Sequence, residues 1–169
     1  MKKNILFLIV ALFAAAAVLT SCDSKDEPTP PPTPAKFEYK APCQAWHCTI
    51  DEVRAFMKNY AGFEEDDAPY KDVDGNMVYC FSDKNNVNYN YAFNSDGLVG
   101  STVIYPKGDN FAKFKEQLAK THGITEWTER TVAGQVFYTV TLKGKKTDLS
   151  LSTAGSFMIA DFKYTEFDW

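Results

Sequence analysis

The chain has 169 residues, of which 45% are hydrophobic and 24% are charged, and its formal net charge is -4. This composition fits one ordinary globular domain and excludes a collagen-like, coiled-coil or wholly disordered protein. A nucleic-acid-binding protein needs a basic surface, which an acidic chain of this kind does not supply. We therefore expect no nucleic-acid partner.

The first 21 residues have the features of a bacterial signal peptide. Lys2 and Lys3 supply a positive start, and an apolar run over residues 5–19 follows. This run is shorter than the roughly twenty residues that a membrane-spanning helix needs. A short apolar run behind a positive start is typical of a cleaved signal sequence, so residues 1–21 are predicted to be removed.

The apolar run ends in Leu19, Thr20, Ser21 and Cys22, which resembles the lipobox of bacterial lipoproteins. In that family the cysteine thiol receives a diacylglyceryl group, and the cysteine becomes the first residue of the mature chain. The resemblance implies that Cys22 is the lipidation site and that its acyl chains anchor the protein in the outer membrane. The acidic residues 23–27 resemble the surface-export signal of Bacteroidota-type lipoproteins, which implies display on the cell surface. Attachment to the periplasmic leaflet is the alternative.

A tether is predicted to separate the anchor from the domain. Five of the eight prolines lie within residues 28–34, and proline excludes a regular helix there. In a polyproline-like conformation, at about 3.1 Å per residue, residues 22–36 could span roughly 40 Å. Loss of Lys2 and Lys3 with the signal peptide changes the formal net charge from -4 to -6. The globular domain is predicted over residues 37–169.

Three cysteines remain in the predicted domain after Cys22 is assigned to lipid: Cys43, Cys48 and Cys80. An exported location permits a disulfide, but the sequence leaves open which two of them pair. The pair Cys43 and Cys48 is the local option. His47 precedes Cys48 and could in principle join a metal site. However, a structural zinc site has paired ligand spacing, which is lacking in the set Cys43, His47, Cys48 and Cys80. No metal site is therefore predicted.

Two helices are predicted from their boundaries and periodicity. Thr49 and Glu52 form a capping box before apolar residues that recur at helical spacing as far as Tyr60. Asp109 is in position to cap a second helix, which Gly123 is expected to end.

Strand-like runs follow each helix, and Asp96-Gly97 is a hairpin signal between two of them. The runs occupy residues 77–81, 87–93, 98–105, 124–128, 135–142, 147–153 and 157–164. Helix ends and turns recur at offsets of 58 to 61 residues, which indicates two repeats, residues 37–106 and 107–169. The predicted fold class is therefore α+β, with tandem units of a helix plus antiparallel sheet and with the helices packed on one sheet face.

One predicted strand shows which sheet face is covered. Its apolar side comprises Val87, Tyr89, Tyr91 and Phe93, and its polar side comprises Asn88, Asn90 and Asn94. Such alternation is typical of a sheet with one buried and one open face. The arrangement resembles in architecture, without a matched motif, the tandem repeats of the β-lactamase-inhibitor-protein family. That resemblance implies a concave sheet face able to grip another protein. A single curved sheet wrapped around helices, with an internal pocket, is the rival architecture.

Catalysis is not predicted. His47 and His122 are the only histidines, and no hydrolase, zinc-protease or phosphate-binding motif is present. His122 is expected to act as a cationic cap at the end of the second helix. The acidic residues 64–74 depart from a calcium-binding loop and are expected to form a solvated loop, with calcium binding as the alternative. A converging pair of carboxylates is the remaining route to an enzyme. No cofactor is expected.

The remaining candidates are contact residues for a macromolecule. Asn88, Asn90 and Asn94 are expected to offer hydrogen bonds from the open sheet face, and Trp46 and Trp169 lie near the ends of the predicted domain. The sequence therefore predicts a surface-exposed outer-membrane lipoprotein whose domain binds a macromolecular partner, as an inhibitor-like or protein-interaction module. A glycan-binding accessory lipoprotein of a nutrient-uptake system is the alternative.

Overall fold

The structure of the protein is a computed structural model that describes residues 37–166. The predicted signal peptide, Cys22, the predicted tether and Trp169 lie outside the described residues. Strands account for 45% and helices for 15% of the described chain. The elements are α1 (Ile50–Met57), β1 (Phe63–Glu65), β2 (Tyr70–Lys71), β3 (Met77–Asp83), β4 (Asn88–Asn94), β5 (Gly97–Pro106), α2 (Phe111–His122), β6 (Thr128–Val132), β7 (Gln135–Leu142), β8 (Thr147–Ala154) and β9 (Phe157–Tyr164). Neither helix of this part of the chain is long and apolar enough to cross a bilayer.

All nine strands of the described part of the chain belong to one antiparallel sheet. The strand order is β1-β3-β4-β5-β9-β8-β7-β6, and β2 also pairs with β3. Strands β5 and β9 pair from Gly100 opposite Lys163 to Pro106 opposite Phe157. Strands that precede α2 and strands that follow it therefore meet in the middle of a continuous sheet.

The predicted fold class of tandem α+β repeats is wrong. The described chain is mostly β, with two helices and a single sheet, and residues 37–106 and 107–169 do not form separate helix-plus-sheet units. Turn and helix-end signals recur along the sequence, but such local signals do not determine which distant strands pair. The ladder between β5 and β9 supplies the pairing that joins the sheet. The structure shares a single sheet with the rival architecture, in which one curved sheet wraps around the helices.

The start of α1 follows the sequence prediction. The Thr49 hydroxyl accepts the backbone N–H of Glu52 at 3.3 Å, and a Glu52 carboxylate oxygen accepts the N–H of Thr49 at 2.8 Å. Two N–H groups that the first helical turn leaves without partners are thereby satisfied. The capping box is confirmed.

The predicted end of α2 is confirmed, and its predicted start is wrong. Gly123 ends the helix with a φ of 69°, a left-handed conformation that glycine adopts without steric cost. The N-cap is Asn110, not Asp109. A turn closed by the Asn110 N–H on the Lys107 carbonyl, at 3.0 Å, places Asp109 inside the turn and moves the helix start one residue on.

Both helices pack on the same face of the sheet, which we call the inner face. The Tyr91 hydroxyl donates to the Met57 sulfur of α1 at 3.2 Å, and Phe114 of α2 packs edge-on against Tyr105 of β5. The expected burial of Tyr89, Tyr91 and Phe93 is confirmed. The side chains with at most 1% exposure in this core are Val53, Tyr89, Tyr91, Leu98, Val103, Phe114, Leu118, Leu149, Leu151, Met158, Ala160 and Phe162.

Candidate functional site

The opposite face of the sheet, which we call the outer face, carries a row of polar side chains. Residues directly opposite each other in an antiparallel ladder point to the same face, so the strand register aligns one side chain from each of seven strands. This central polar row consists of Cys80, Asn90, Thr102, Asp161, Ser150, Thr139 and Thr128. Thr128 is exposed and the other six are half-buried.

The carboxylates beside and within the central polar row have local partners. Thr102 donates its hydroxyl proton to Asp161 at 2.8 Å, and the Lys163 ammonium lies 3.7 Å from the same carboxylate. Thr141 donates to Asp148 at 2.7 Å. The threonine hydroxyls satisfy carboxylates on the neighbouring strands, and Lys163 offsets the charge of Asp161 within β9. The row therefore presents a mixture of donors and acceptors rather than a strong field of one sign.

The three predicted asparagines have different roles in the structure. Asn90 lies in the central polar row, and its carboxamide makes no hydrogen bond to any described residue. Asn88 lies two residues away on the same face and donates to the Asn86 carbonyl at 3.3 Å. Asn94 accepts the N–H of Asp96 at 2.8 Å and so closes the turn between β4 and β5. The structure brings Asn88 and Asn90 together, whereas Asn94 serves the turn.

An apolar patch adjoins the central polar row on the outer face. Ile104 of β5 lies directly opposite Ile159 of β9, and Phe137 follows beyond the buried Ser152. Phe157, two residues before Ile159, is 41% exposed. Sequence reasoning missed this patch, because β9 carries apolar residues on both of its sides and alternation alone cannot tell which side faces the core.

A shallow depression of about 410 Å³ lies on the outer face over β6, β7, β8 and β9. The side chains that ring it include Thr128, Arg130, Thr139, Thr141, Asp148, Ser150, Asp161 and Lys163. Several of these belong to the central polar row. The outer face is therefore indented where its polar groups are densest.

The acidic stretch lines a second depression, of about 830 Å³, at the β1 edge. Its carboxylates are used locally: Glu65 binds the Arg54 guanidinium through two bonds of 2.8 Å, and Asp66 accepts the Ser82 hydroxyl at 2.8 Å. Asp72 accepts two backbone N–H groups within its own turn. No cluster of three or more His, Cys, Asp or Glu able to hold a metal ion occurs among residues 37–166. The calcium alternative therefore gains no support from this geometry.

His122 is not the cationic helix cap that the sequence predicts. Its Nε2 lies 2.8 Å from the Tyr39 hydroxyl, and its ring packs against Phe162. Burial, and then the positive charge of Lys145, lowers the pKa of His122 to about 4. The ring is therefore neutral at pH 7 and joins the N-terminal segment to α2. His47 lies apart from it, on the surface against Tyr164, with ring centroids 4.5 Å apart.

Trp46 lies off the outer face. It is half-buried against the core, and its indole N–H donates to the Thr147 hydroxyl at 2.9 Å and to the Lys145 carbonyl at 3.2 Å. These bonds fasten the loop over residues 43–48 to the start of β8. We therefore leave Trp46 out of the candidate surface.

Within residues 37–166, the outer face has no cluster of exposed aromatic rings. Among the described residues, the only large aromatic side chains that are strongly exposed are Tyr70 and Phe157. They lie on β2 and β9, which are separated by three strands of the sheet. Comparison of the chain with protein-family models, with curated proteins and with solved structures finds no match.

Proposed function

We propose that this protein is an outer-membrane lipoprotein, anchored through Cys22 and exposed at the cell surface, that binds a protein partner through the outer face of its sheet. The central polar row is the observation that carries the proposal. It aligns hydrogen-bonding side chains from seven strands on the face opposite both helices. At roughly 4.8 Å between strands, the row is about 29 Å long.

The size and composition of the outer face favour a protein over a glycan. A stable protein interface buries about 800 Å² on each partner and combines a few apolar anchors with a polar surround. Ile104, Ile159 and Phe137 provide such anchors beside the central polar row. Sugars are commonly held by stacking on exposed aromatic rings, and the described outer face has only Tyr70 and Phe157 strongly exposed, on strands that are separated by three others.

Asn90 is the polar residue from which we expect the largest contribution to binding. Its half-buried carboxamide has two donors and an acceptor unused within the described protein. Asn88 adds a second carboxamide on the same strand and face. Each lost hydrogen bond to a partner costs about 1 kcal/mol, so removal of both carboxamides should weaken binding at least tenfold.

The test compares two double variants of the full chain in its native cells. In Asn88→Ala/Asn90→Ala both carboxamides are removed. In the control, Lys113→Ala/Glu116→Ala, two exposed residues of α2 are changed without altering the net charge. Proteins cross-linked to the wild type on intact cells are identified by mass spectrometry, and the affinity of the purified candidate is measured for all three forms. Loss in the first variant with retention in the control supports the proposal.

Two outcomes contradict the proposal. Unchanged affinity in Asn88→Ala/Asn90→Ala excludes the outer face as the binding surface. Retention of the wild type on a surface polysaccharide, lost in the same variant, assigns the face to glycan binding instead.

The location is tested separately from binding. Protease added to intact cells should digest the domain, and Cys22→Ala should release the protein from the membrane fraction. Protection from protease until the outer membrane is permeabilised would place the anchor in the periplasmic leaflet.

A further inference from the structure

The sheet separates Cys80 from the other two cysteines of the domain. Cys80 lies in the central polar row of the outer face, opposite Asn90. Cys43 lies on the inner side, where its N–H donates to the Tyr91 hydroxyl at 3.3 Å and its carbonyl accepts the buried Ser101 hydroxyl at 2.6 Å. Since a layer of backbone stands between the two sides, Cys80 cannot reach Cys43 in the folded protein.

Cys43 and Cys48 are thiols in the structure, and both lie on the inner side of the sheet, Cys43 within the core and Cys48 packed against it. Contacts that do not involve the sulfur atoms hold them there. The Cys48 N–H donates to the Ala45 carbonyl at 3.1 Å, which closes a turn. The Cys48 carbonyl accepts the N–H of Leu98 at 3.0 Å, and the His47 N–H donates to the Leu98 carbonyl at 2.9 Å. The loop over residues 43–48 is thus already folded, with a turn at residues 45–48 and with both cysteines on the inner side of the sheet.

We propose that Cys43 and Cys48 form a disulfide in the mature protein and that Cys80 remains a thiol. The structure thereby selects one of the three pairings that the sequence leaves open. The reaction is a thiol–disulfide exchange with an oxidant of the disulfide class. One thiolate attacks the oxidant to give a mixed disulfide, and the second thiolate displaces the oxidant's remaining sulfur. The two thiols lose two protons and two electrons, and the oxidant's disulfide becomes two thiols.

The burial of these groups indicates when the bond forms. Burial, followed by the influence of Cys43, raises the pKa of Cys48 to about 12, so its thiolate is scarce at neutral pH in the folded domain. Exchange is therefore fastest before the loop is covered by the core. Burial also raises the pKa of Cys80 to about 11, which slows its exchange with small disulfides.

The bond would close the loop that fastens two distant strands. Trp46 bonds to the start of β8, and residues 47 and 48 bond to Leu98 at the start of β5. A disulfide across this loop stabilises the fold chiefly by restricting the unfolded chain.

Peptide mapping tests the pairing directly. The full chain, produced in an exporting bacterial host and isolated without reductant, is alkylated with iodoacetamide and digested with trypsin. Cleavage after Lys40 and Arg54 places both cysteines of the pair in the peptide 41–54, and cleavage after Lys71 and Lys84 isolates Cys80 in the peptide 72–84. We expect peptide 41–54 to be unalkylated and lighter by two hydrogens, and peptide 72–84 to be alkylated. Alkylation of both cysteines in peptide 41–54, or a cross-link from Cys80 to either, overturns the proposal.

Thermal unfolding of matched cysteine variants, with and without reductant, is a second test of the pairing. Reductant should lower the Tm of the wild type by roughly 5 to 10 °C, as expected for a small closed loop. Cys80→Ser should respond to reductant as the wild type does, and Cys48→Ser should not respond. A response retained in Cys48→Ser, or lost in Cys80→Ser, contradicts the assignment. Neither experiment depends on a binding partner. A negative result in either would therefore overturn the disulfide and leave the proposed binding function untouched.

Discussion

The two ends of the sheet are built differently on their inner face. Strands β3, β4 and β5 bury a set of large rings comprising Phe81, Tyr89, Tyr91, Phe93 and Tyr105. At the other end, all five residues of β6 are exposed, and β7 buries only Leu142. Hydrogen bonding is continuous across the sheet, whereas apolar burial is not. We therefore expect the local stability of each strand to follow the amount of core packed beneath it.

Buried hydroxyl groups account for part of this difference. The Tyr89 hydroxyl donates to the Lys40 carbonyl at 2.8 Å and lies 3.0 Å from the hydroxyl of Tyr105. A buried ring whose polar atom is satisfied contributes its full apolar area. On β7 the comparable ring, Tyr138, is half-buried under Lys115, whose ammonium lies 3.3 Å from the ring centroid. A cation over such a partly exposed ring contributes about 0.5–1 kcal/mol, less than full burial of the ring.

Truncating one tyrosine at each end should give the largest contrast. Tyr91 is fully buried and bonds to Met57 and Cys43, so Tyr91→Ala should lower the free energy of unfolding by about 4 kcal/mol. Tyr138→Ala removes a half-buried ring and should cost about 1–2 kcal/mol. Urea unfolding at pH 7 measures both values. Equal losses would show that the two ends share one uniform core.

The two hairpin glycines should give the next contrast. Gly97, with a φ of 109°, begins β5, and a Cβ there would overlap the carbonyl of His47 and lie 2.8 Å from the Cys48 carbonyl oxygen. Gly155, between β8 and β9, has a φ of 55° and open space around it. Gly97→Ala should therefore cost about 3 kcal/mol or more, from backbone strain plus overlap, and Gly155→Ala about 1 kcal/mol from strain alone.

Thermal unfolding of the two alanine variants separates them. The paired loop over residues 43–48 would have to shift in Gly97→Ala. If the two variants lose the same stability, the close approach of that loop to β5 is not maintained in solution.

The buried histidine predicts a pH dependence that the exposed one does not share. The folded pKa of His122, about 4, lies below the unfolded value of about 6.5, so the unfolded state binds a proton that the folded state refuses. This contribution to stability is complete above pH 6.5 and is lost as the pH falls toward 4. The loss should be about 1–2 kcal/mol, because the ring is partly open to solvent, which reduces the effect.

Denaturation at pH 7 and pH 4.5 checks this expectation against two variants. His122→Asn should lose that part of the pH dependence, and His47→Asn should keep it. A wild-type difference that survives in His122→Asn assigns the pH dependence to other groups, such as the carboxylates.

The outer face should give the smallest change in stability. Asn88→Ala/Asn90→Ala removes side chains that lie outside the core, so the free energy of unfolding should change by less than about 0.5 kcal/mol. Urea unfolding measures this change beside that of Lys113→Ala/Glu116→Ala. A large loss of stability would mean that the central polar row holds the sheet together rather than serving a partner.

The features predicted from sequence are those set by residues close together in the chain. The capping box at Thr49, the glycine that ends α2 and the buried side of β4 are of this kind. Residues 64–74 were expected to form a loop, but they include most of β1 and all of β2. These two short strands form because they pair with β3. Alternation within β4 also placed Asn88 and Asn90 on the open face before any pairing was known.

The features that were missed depend on distant partners. The environment of His122 is set by Tyr39, 83 residues earlier, so its helix-end position alone suggested a charged cap. Ile104 and Ile159 form a patch only because β5 and β9 pair. The prediction of two repeats was wrong for the same reason, because equal spacing of turns along the sequence does not determine which strands pair.

The position of β9 has a consequence for the order in which the protein folds. The last strand of the described chain lies between β5 and β8, in the interior of the sheet. Until β9 has been synthesised, β5 and β8 each present an unpaired edge, and no strand joins the two parts of the sheet. Closing the sheet requires contacts between residues about 60 positions apart, such as Thr102 with Asp161, and such long-range pairings form slowly. The sheet is therefore completed late, after nearly all of residues 37–166 are available.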